Sequence, residues 1–311
     1  MKETEDDSTP ISLPLKMKFK AAKTVVTGPS HLQTDPPTPC QDHADSRLLA
    51  NGLVASVVCD GAGSSRHSEL ASRFCVERIL AALEEIDFID FMCPRPDPEN
   101  LQHQWSLRAR QAFQMTRQQL EDFAVAKCIE LADLYCTLLV IVQVPWGFMV
   151  AHVGDGRAGY YDGQAQSLMV PLATYTAGQT VFLLNRKWED AFRSSIVFHP
   201  APDLISYYFL CSDGPQTYLM ERSSLDPKAD RVYESLLGDE AYYDTNLPYH
   251  PFFQGLIQSL NEVGSEEERN NRLKQLIELG KYELSEQVSY LSTLVSPELD
   301  DDKSLVFFYR E

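Results

Sequence analysis

Apolar positions fall in two rhythms along this chain. In "GLVASVVCDG" (52–61), "LYCTLLVIVQVPWGFMVAHVGDG" (134–156), "ISYYFLCSDG" (205–214) and "KSLVFFYR" (303–310), apolar residues run almost unbroken over strand-length windows rich in β-branched and aromatic side chains. Such runs, bounded by Gly, Asp and Pro, predict buried strands. The second window contains Pro145-Trp146-Gly147 and is read as two strands joined by a turn. Further strands are expected at "RAGYYDG" (157–163), "QTVFLLN" (179–185) and "RSSIVFHP" (193–200). The other rhythm is helical. Leu70, Phe74, Ile79, Leu80 and Leu83 recur near a 3.6-residue period in "ELASRFCVERILAALEE", with Ser68 placed to cap it. After the Pro-rich break "CPRPDPEN" (93–100), a second long helix is predicted around "LRARQAFQMTRQQLEDFAVAKC". Helices return between about 214 and 296, including "PFFQGLIQSLNEVG" and "ERNNRLKQLIELGKYEL". The Pro- and Thr-rich "GPSHLQTDPPTPCQD" (28–42) reads as extended or looped rather than helical.

Neighbouring strands joined by short turns favour antiparallel sheets, and long helix pairs must cover sheet faces. The expected class is therefore α+β, in a single domain over residues 21–311, preceded by a polar tail at 1–20. At 311 residues, with 44% hydrophobic and 23% charged side chains, the chain is that of a soluble globular protein. No apolar run reaches membrane-spanning length, and the acidic start "MKETEDDSTP" is unlike a secretory signal. Seven cysteines without CxxC spacing point to a reducing compartment, hence the cytoplasm. A formal net charge of −18 argues against nucleic acid and anionic membranes as partners. That excess serves solubility, or part of it belongs to carboxylates that hold cations; sequence balance does not separate the two.

Where acids stand changes the picture. Asp60, Asp155 and Asp213 each follow a predicted strand and precede a glycine, Asp42 precedes the first of the strands, and Asp300-Asp301-Asp302 precedes the last. Singly, an Asp-Gly pair is a turn, Asp213-Gly214-Pro215 a helix start, and the triple Asp a solvated loop. Together, carboxylates gathered at strand ends repel one another unless protonated or bridged by cations. Hard divalent ions prefer such oxygen ligands, and a paired site acidifies a shared water for attack on phosphorus.

"CQD", "VVCDGAG", "YCTLLV", "VGDGRAGYY", "LCSDG" and "DDKSLVFF", in this order over roughly residues 25–310, resemble the landmarks of the PP2C-type (PPM) metal-dependent Ser/Thr protein phosphatases, in their compact bacterial branch. The resemblance implies an α/β/β/α sandwich, two antiparallel sheets flanked by helix pairs. It implies two Mg²⁺ or Mn²⁺ ions: Asp60 bridging them with help from the Gly61 carbonyl, Asp213 and Asp301 completing one site, and Asp42 orienting water. Asp155 matches an acid that holds a weaker third ion in relatives. Phosphorylated proteins would be the substrates, opposed by a bacterial Ser/Thr kinase acting on the same targets.

The chain departs from that pattern at several positions. Gln41 replaces a common Glu, and Pro37 stands where many relatives carry a phosphate-gripping arginine. Arg66 is the candidate replacement for that arginine, against the plainer reading of a loop charge. Ala62 occupies the place of a histidine proposed as general acid, for which His31 or His67 would have to substitute. Thr217 stands where some relatives offer another acid to the third ion. A catalytically silent binding module and a phosphohydrolase for small phosphoesters fit the same scaffold; retention of Asp60, Asp213 and Asp301 favours an enzyme.

Overall fold

The computed structural model describes residues 19–92, 98–169, 180–224, 242–279 and 301–310. The first strand, β1 (Lys20–Val26), is followed by one helical turn, α1 (Pro29–Leu32). Then come β2 (His43–Leu48), β3 (Val54–Cys59), α2 (Ser68–Glu84) and α3 (Pro98–Lys127). The run β4 (Leu138–Val144), β5 (Gly147–Val153), β6 (Arg157–Tyr161) and β7 (Ala165–Ser167) leads to a short α4 (Trp188–Ala191), β8 (Arg193–Phe198) and β9 (Tyr207–Cys211). After α5 (Gln216–Leu219) a separate hairpin pairs β10 (Met220–Ser224) with β11 (Tyr242–Pro248), and α6 (His250–Asn261), α7 (Glu266–Leu279) and β12 (Lys303–Tyr309) complete the described chain.

Two five-stranded sheets, ordered β1-β12-β9-β6-β7 and β2-β3-β4-β5-β8, are antiparallel throughout. Their side chains divide with a period of two, as the pleat requires. On β4, Leu138, Val140 and Val142 meet α2 and α3, while Leu139 and Ile141 enter the layer between the sheets. On β12, Leu305, Phe307 and Tyr309 face α6 and α7, while Val306 and Phe308 enter that same middle layer. Helices thus cover the outer face of each sheet, giving the expected α/β/β/α sandwich, and burial of both faces explains why the strands are apolar at consecutive positions.

Several local expectations are corrected. "QTVFLLN" is not a strand from Thr180 on: the Asn185 side chain accepts the Phe182 N–H at 2.6 Å and closes a turn, so Leu183 is buried from a loop. Pro29 starts a helical turn inside the segment read as non-helical, and Pro98 opens α3 inside the Pro-rich break, because proline suits the first turn of a helix. Ser68 is the first helical residue rather than the cap; the cap position is His67 and makes no side-chain cap bond. Leu70 is 40% exposed, and the buried stripe of α2 runs instead through Ala71, Cys75, Val76, Ile79, Leu80 and Leu83. The β10–β11 hairpin stands where only helices were expected. Most of the predicted tail and part of the 214–296 region lie outside the described residues, as does Asp300.

Candidate active site

Register brings one end of each sheet to the same place. In one sheet His43 pairs with Cys59 and Leu138 with Val153, so β2 and β4 begin where β3 and β5 end. In the other, Cys211 pairs with both Leu305 and Arg157, so β9 ends where β12 and β6 begin. Residues just beyond these ends are Asp42, Asp60, Asp155, Asp213, Asp301 and Asp302. The Asp155 turn is no hairpin: it carries the chain from β5 in one sheet to β6 in the other.

Backbone detail fixes each carboxylate. Asp60 donates its N–H to Thr137 Oγ1 at 3.0 Å, and its carbonyl accepts the Thr137 N–H at 2.8 Å. Gly61 bridges Cys136 through bonds made by its two neighbours, Asp60 and Ala62, which leaves its own carbonyl out of the ladder. A Cβ on Gly61 would sit 2.5 Å from the Gln41 carbonyl, and one on Gly214 would sit 2.0 Å from that of Asp302. Asp155 accepts a hydrogen bond from Thr180 Oγ1, and the buried Arg157 donates to the Asp155 carbonyl and, at 3.3 Å, to that of Gly156.

The outcome is a close group of partly buried carboxylates. Carboxylate oxygens of Asp60, Asp155 and Asp213 lie within 4.8 Å of one another. Burial, followed by the charges of Asp42, Asp213 and Asp155, pushes Asp60 well above the usual carboxylate range. Burial and the Asp155 charge raise Asp213 to about 7, with Arg157 pulling the other way. Asp60 and Asp213 lie close enough that a proton between them relieves their repulsion when no cation is bound. Asp42 is buried and raised to about 8, chiefly by burial and against a hydrogen bond from Ser212. Its Oδ2 has no hydrogen-bond partner. Oxygen donors in a close group, protons held where metal-free acids repel, and one orphaned carboxylate oxygen together fit hard divalent cations with their bound waters.

Asp301 stands at the exposed rim, raised by burial and close enough for its charge to act on Asp213, but outside the group of three. Its neighbour Asp302 has a different task. Buried, it accepts the Gly28 N–H at 2.6 Å and the Gln41 N–H at 2.5 Å, and pairs with His31 Nδ1 at 3.0 Å. This clamp holds the 28–42 segment, and therefore Asp42, against the start of β12.

A sequence model of the family described as protein phosphatase 2C matches residues 27–278. The chain belongs to the protein phosphatase 2C family. The matched span takes in Asp42, Asp60, Asp155 and Asp213 and stops short of Asp301. Among solved structures, the serine/threonine phosphatase Stp1 from Staphylococcus aureus superposes with a TM-score of 0.54 at 16% identity, over 96% of this chain and 98% of that one. The S. agalactiae serine/threonine phosphatase gives 0.56 at 13% identity, over 94% and 100%. A C. elegans sex determining protein gives 0.52 at 11% identity, over 94% of this chain and 64% of that one. At these identities the likeness is one of fold. A comparison of the sequence with curated proteins gives no match.

Within this protein phosphatase 2C scaffold, Arg66 is exposed on the loop after Gly61, without a partner among the described residues. Gln41 is buried, its side chain donating to the Ser65 carbonyl at 3.2 Å, so the amide braces that loop. His31 is engaged with Asp302, while His67 lies half-buried 4.0 Å from Glu69. Sequence reading passed over Thr137 and Arg157, and gave Asp302 no task apart from the acidic run it belongs to. Only Arg157 carried a signal, a charge opening an otherwise apolar strand. No described helix is long and apolar enough to cross a membrane.

Proposed function

We propose that this chain is a metal-dependent phosphatase of phosphoserine and phosphothreonine in proteins. The observation that carries the reading is the group formed by Asp60, Asp155 and Asp213 at the meeting of two sheets, with Asp42 Oδ2 orphaned beside it. Asp60, Asp213 and Asp155 would hold a pair of Mg²⁺ or Mn²⁺ ions, with Asp301 reaching in from the rim and the Gly61 carbonyl as a further donor. When bound, such ions supply Lewis acidity toward phosphoryl oxygens and lower the pKa of water. Asp42, whose Oδ2 has no hydrogen-bond partner, would accept a hydrogen bond there and so orient a water. Arg157 offsets part of the negative charge on Asp213 and fixes the Asp155 turn. Arg66, exposed and without a partner among the described residues, would meet the phosphate dianion, for which a guanidinium is well suited.

Hydrolysis of a phosphothreonine peptide with EDTA, Mg²⁺ or Mn²⁺ tests the reading. Activity should require metal and fall by at least about a hundredfold in Asp60→Asn and Asp213→Asn, the scale of losing a principal electrostatic stabiliser. Wild-type rates in either variant would sink it. Faster turnover of nucleotides or sugar phosphates than of phosphopeptides would replace the substrate class. A folded chain that binds Mn²⁺ yet is inert with every phosphoester would make it a binding module.

A further inference from the structure

Directly behind the acid cluster three thiols meet. Cys59 ends β3, Cys136 lies opposite Gly61 in the isolated bridge, and Cys75 projects from α2. Their sulfurs all lie within 4.8 Å of one another, Cys136 Sγ stands 3.7 Å from Cys75 Sγ, and none of the three is exposed. They belong to the same apolar cluster as Val57, Ala71, Ile79 and Leu138.

Two chemistries suit such a trio, a soft-metal thiolate site and a thiol–disulfide pair. Burial decides between them. Three thiolates around a monovalent or divalent ion leave net negative charge in apolar surroundings, and all three sulfurs belong to residues that are fully buried. A disulfide is neutral and closes at about 2.05 Å from a pair already in contact. We propose that Cys75 and Cys136 are an oxidative modification site that forms a reversible disulfide, with Cys59 as a third thiol able to exchange into it.

Hydrogen peroxide, small enough to enter on local opening, is the oxidant. The Cys75 sulfur, which accepts the Cys136 S–H, attacks one peroxide oxygen. The O–O bond breaks, giving a sulfenic acid and one water. The Cys136 sulfur then attacks the Cys75 sulfur, the S–O bond breaks, the S–S bond forms and a second water leaves. The two sulfurs together lose two electrons, which the peroxide takes, and both thiol protons end in water. The link would tie α2 to the strand pairing that orients Asp60, since Cys136 faces Gly61 and the adjacent Thr137 holds Asp60. An effect on phosphate hydrolysis rests on the function proposed above; the link itself does not.

The experiment uses the full chain with Cys40, Cys93 and Cys128 changed to serine. Folded protein is treated with peroxide, quenched, denatured, alkylated and mapped by mass spectrometry without reduction. Two alkylatable thiols should be lost into a peptide joining residues 75 and 136, with a minor share through residue 59, and dithiothreitol should restore both. Cys75→Ala or Cys136→Ala should cut the linked species at least tenfold, while Cys211→Ala, in a different core cluster, should leave it intact. Circular dichroism verifies folding, and serine variants replace any alanine variant that fails. Thiols that all remain alkylatable, a link through residue 211, or sulfinic acid without a link would overturn the proposal. So would a thiolate-to-metal absorption band on adding Cd²⁺ to the reduced protein, which would mark a soft-metal site. A chain that forms the link but hydrolyses nothing separates failure of the functional reading from failure of this one.

Discussion

Asp213 and Asp42 show how a carboxylate can work against the fold that positions it. Their folded-state pKa values, about 7 and about 8, exceed the unfolded value of about 3.9. Between those limits the folded chain binds more protons than the unfolded one, so without metal its stability falls as pH rises from about 4 to about 8. Thermal unfolding in EDTA should give a lower Tm at pH 8 than at pH 5, and Asp213→Asn should flatten that slope. Mn²⁺ should raise Tm most at pH 8, because cation binding needs the protons gone. Asp302 is the contrasting case, a carboxylate whose lone pairs are used by backbone. Asp302→Ala orphans the Gly28 and Gln41 N–H groups, so a loss of about 3 kcal/mol is expected from denaturant unfolding. Nothing in "DDDK" distinguishes Asp301 from Asp302 in advance, because the task of Asp302 is set by partners 274 and 261 positions away in the chain.

At the scale of elements, the site depends on how closely strand ends approach. Gly214→Ala would place a methyl 2.0 Å from a backbone carbonyl of the strand start beside it, where nothing yields cheaply. A cost of about 3 kcal/mol is expected. Gly63→Ala, on the loop after Asp60, meets only the Gln41 Oε1 at 3.8 Å and should be neutral or slightly stabilising. Denaturant unfolding of the two variants side by side checks the contrast. The central strands were legible in the sequence because both faces are buried, so apolar residues occupy consecutive positions. Asp60, Asp155 and Asp213 were legible because each breaks such a run. "QTVFLLN" misled for the same reason, since burial of Leu183 and Leu184 from a turn leaves the imprint of a strand. The β10–β11 hairpin left no such imprint, as "MERSS" and "YYDTNLP" alternate poorly. Thr137 acts through a bond to backbone across a sheet end, which no local pattern encodes.

For the whole molecule, a net charge of −18 sets the terms on which a charged substrate arrives. Phosphopeptides flanked by Lys and Arg should show a higher kcat/KM than acid-flanked ones at low ionic strength, and the two should converge as salt screens the field. Equal rates at all salt concentrations would show that the charge serves solubility alone.

The acid cluster is also long-range in sequence. It draws on positions from Asp42 to Asp302, and β12 must insert between β1 and β9 before the clamp on residues 28–42 can close. Ordering a chain over that separation is slow, because loop-closure entropy is spent before any contact rewards it. During refolding, helical circular dichroism should therefore recover first and Mn²⁺ affinity last. On the proposed function, competence to bind the ion would be a clock for the completion of folding, and a chain in which β12 has yet to insert would be chemically idle.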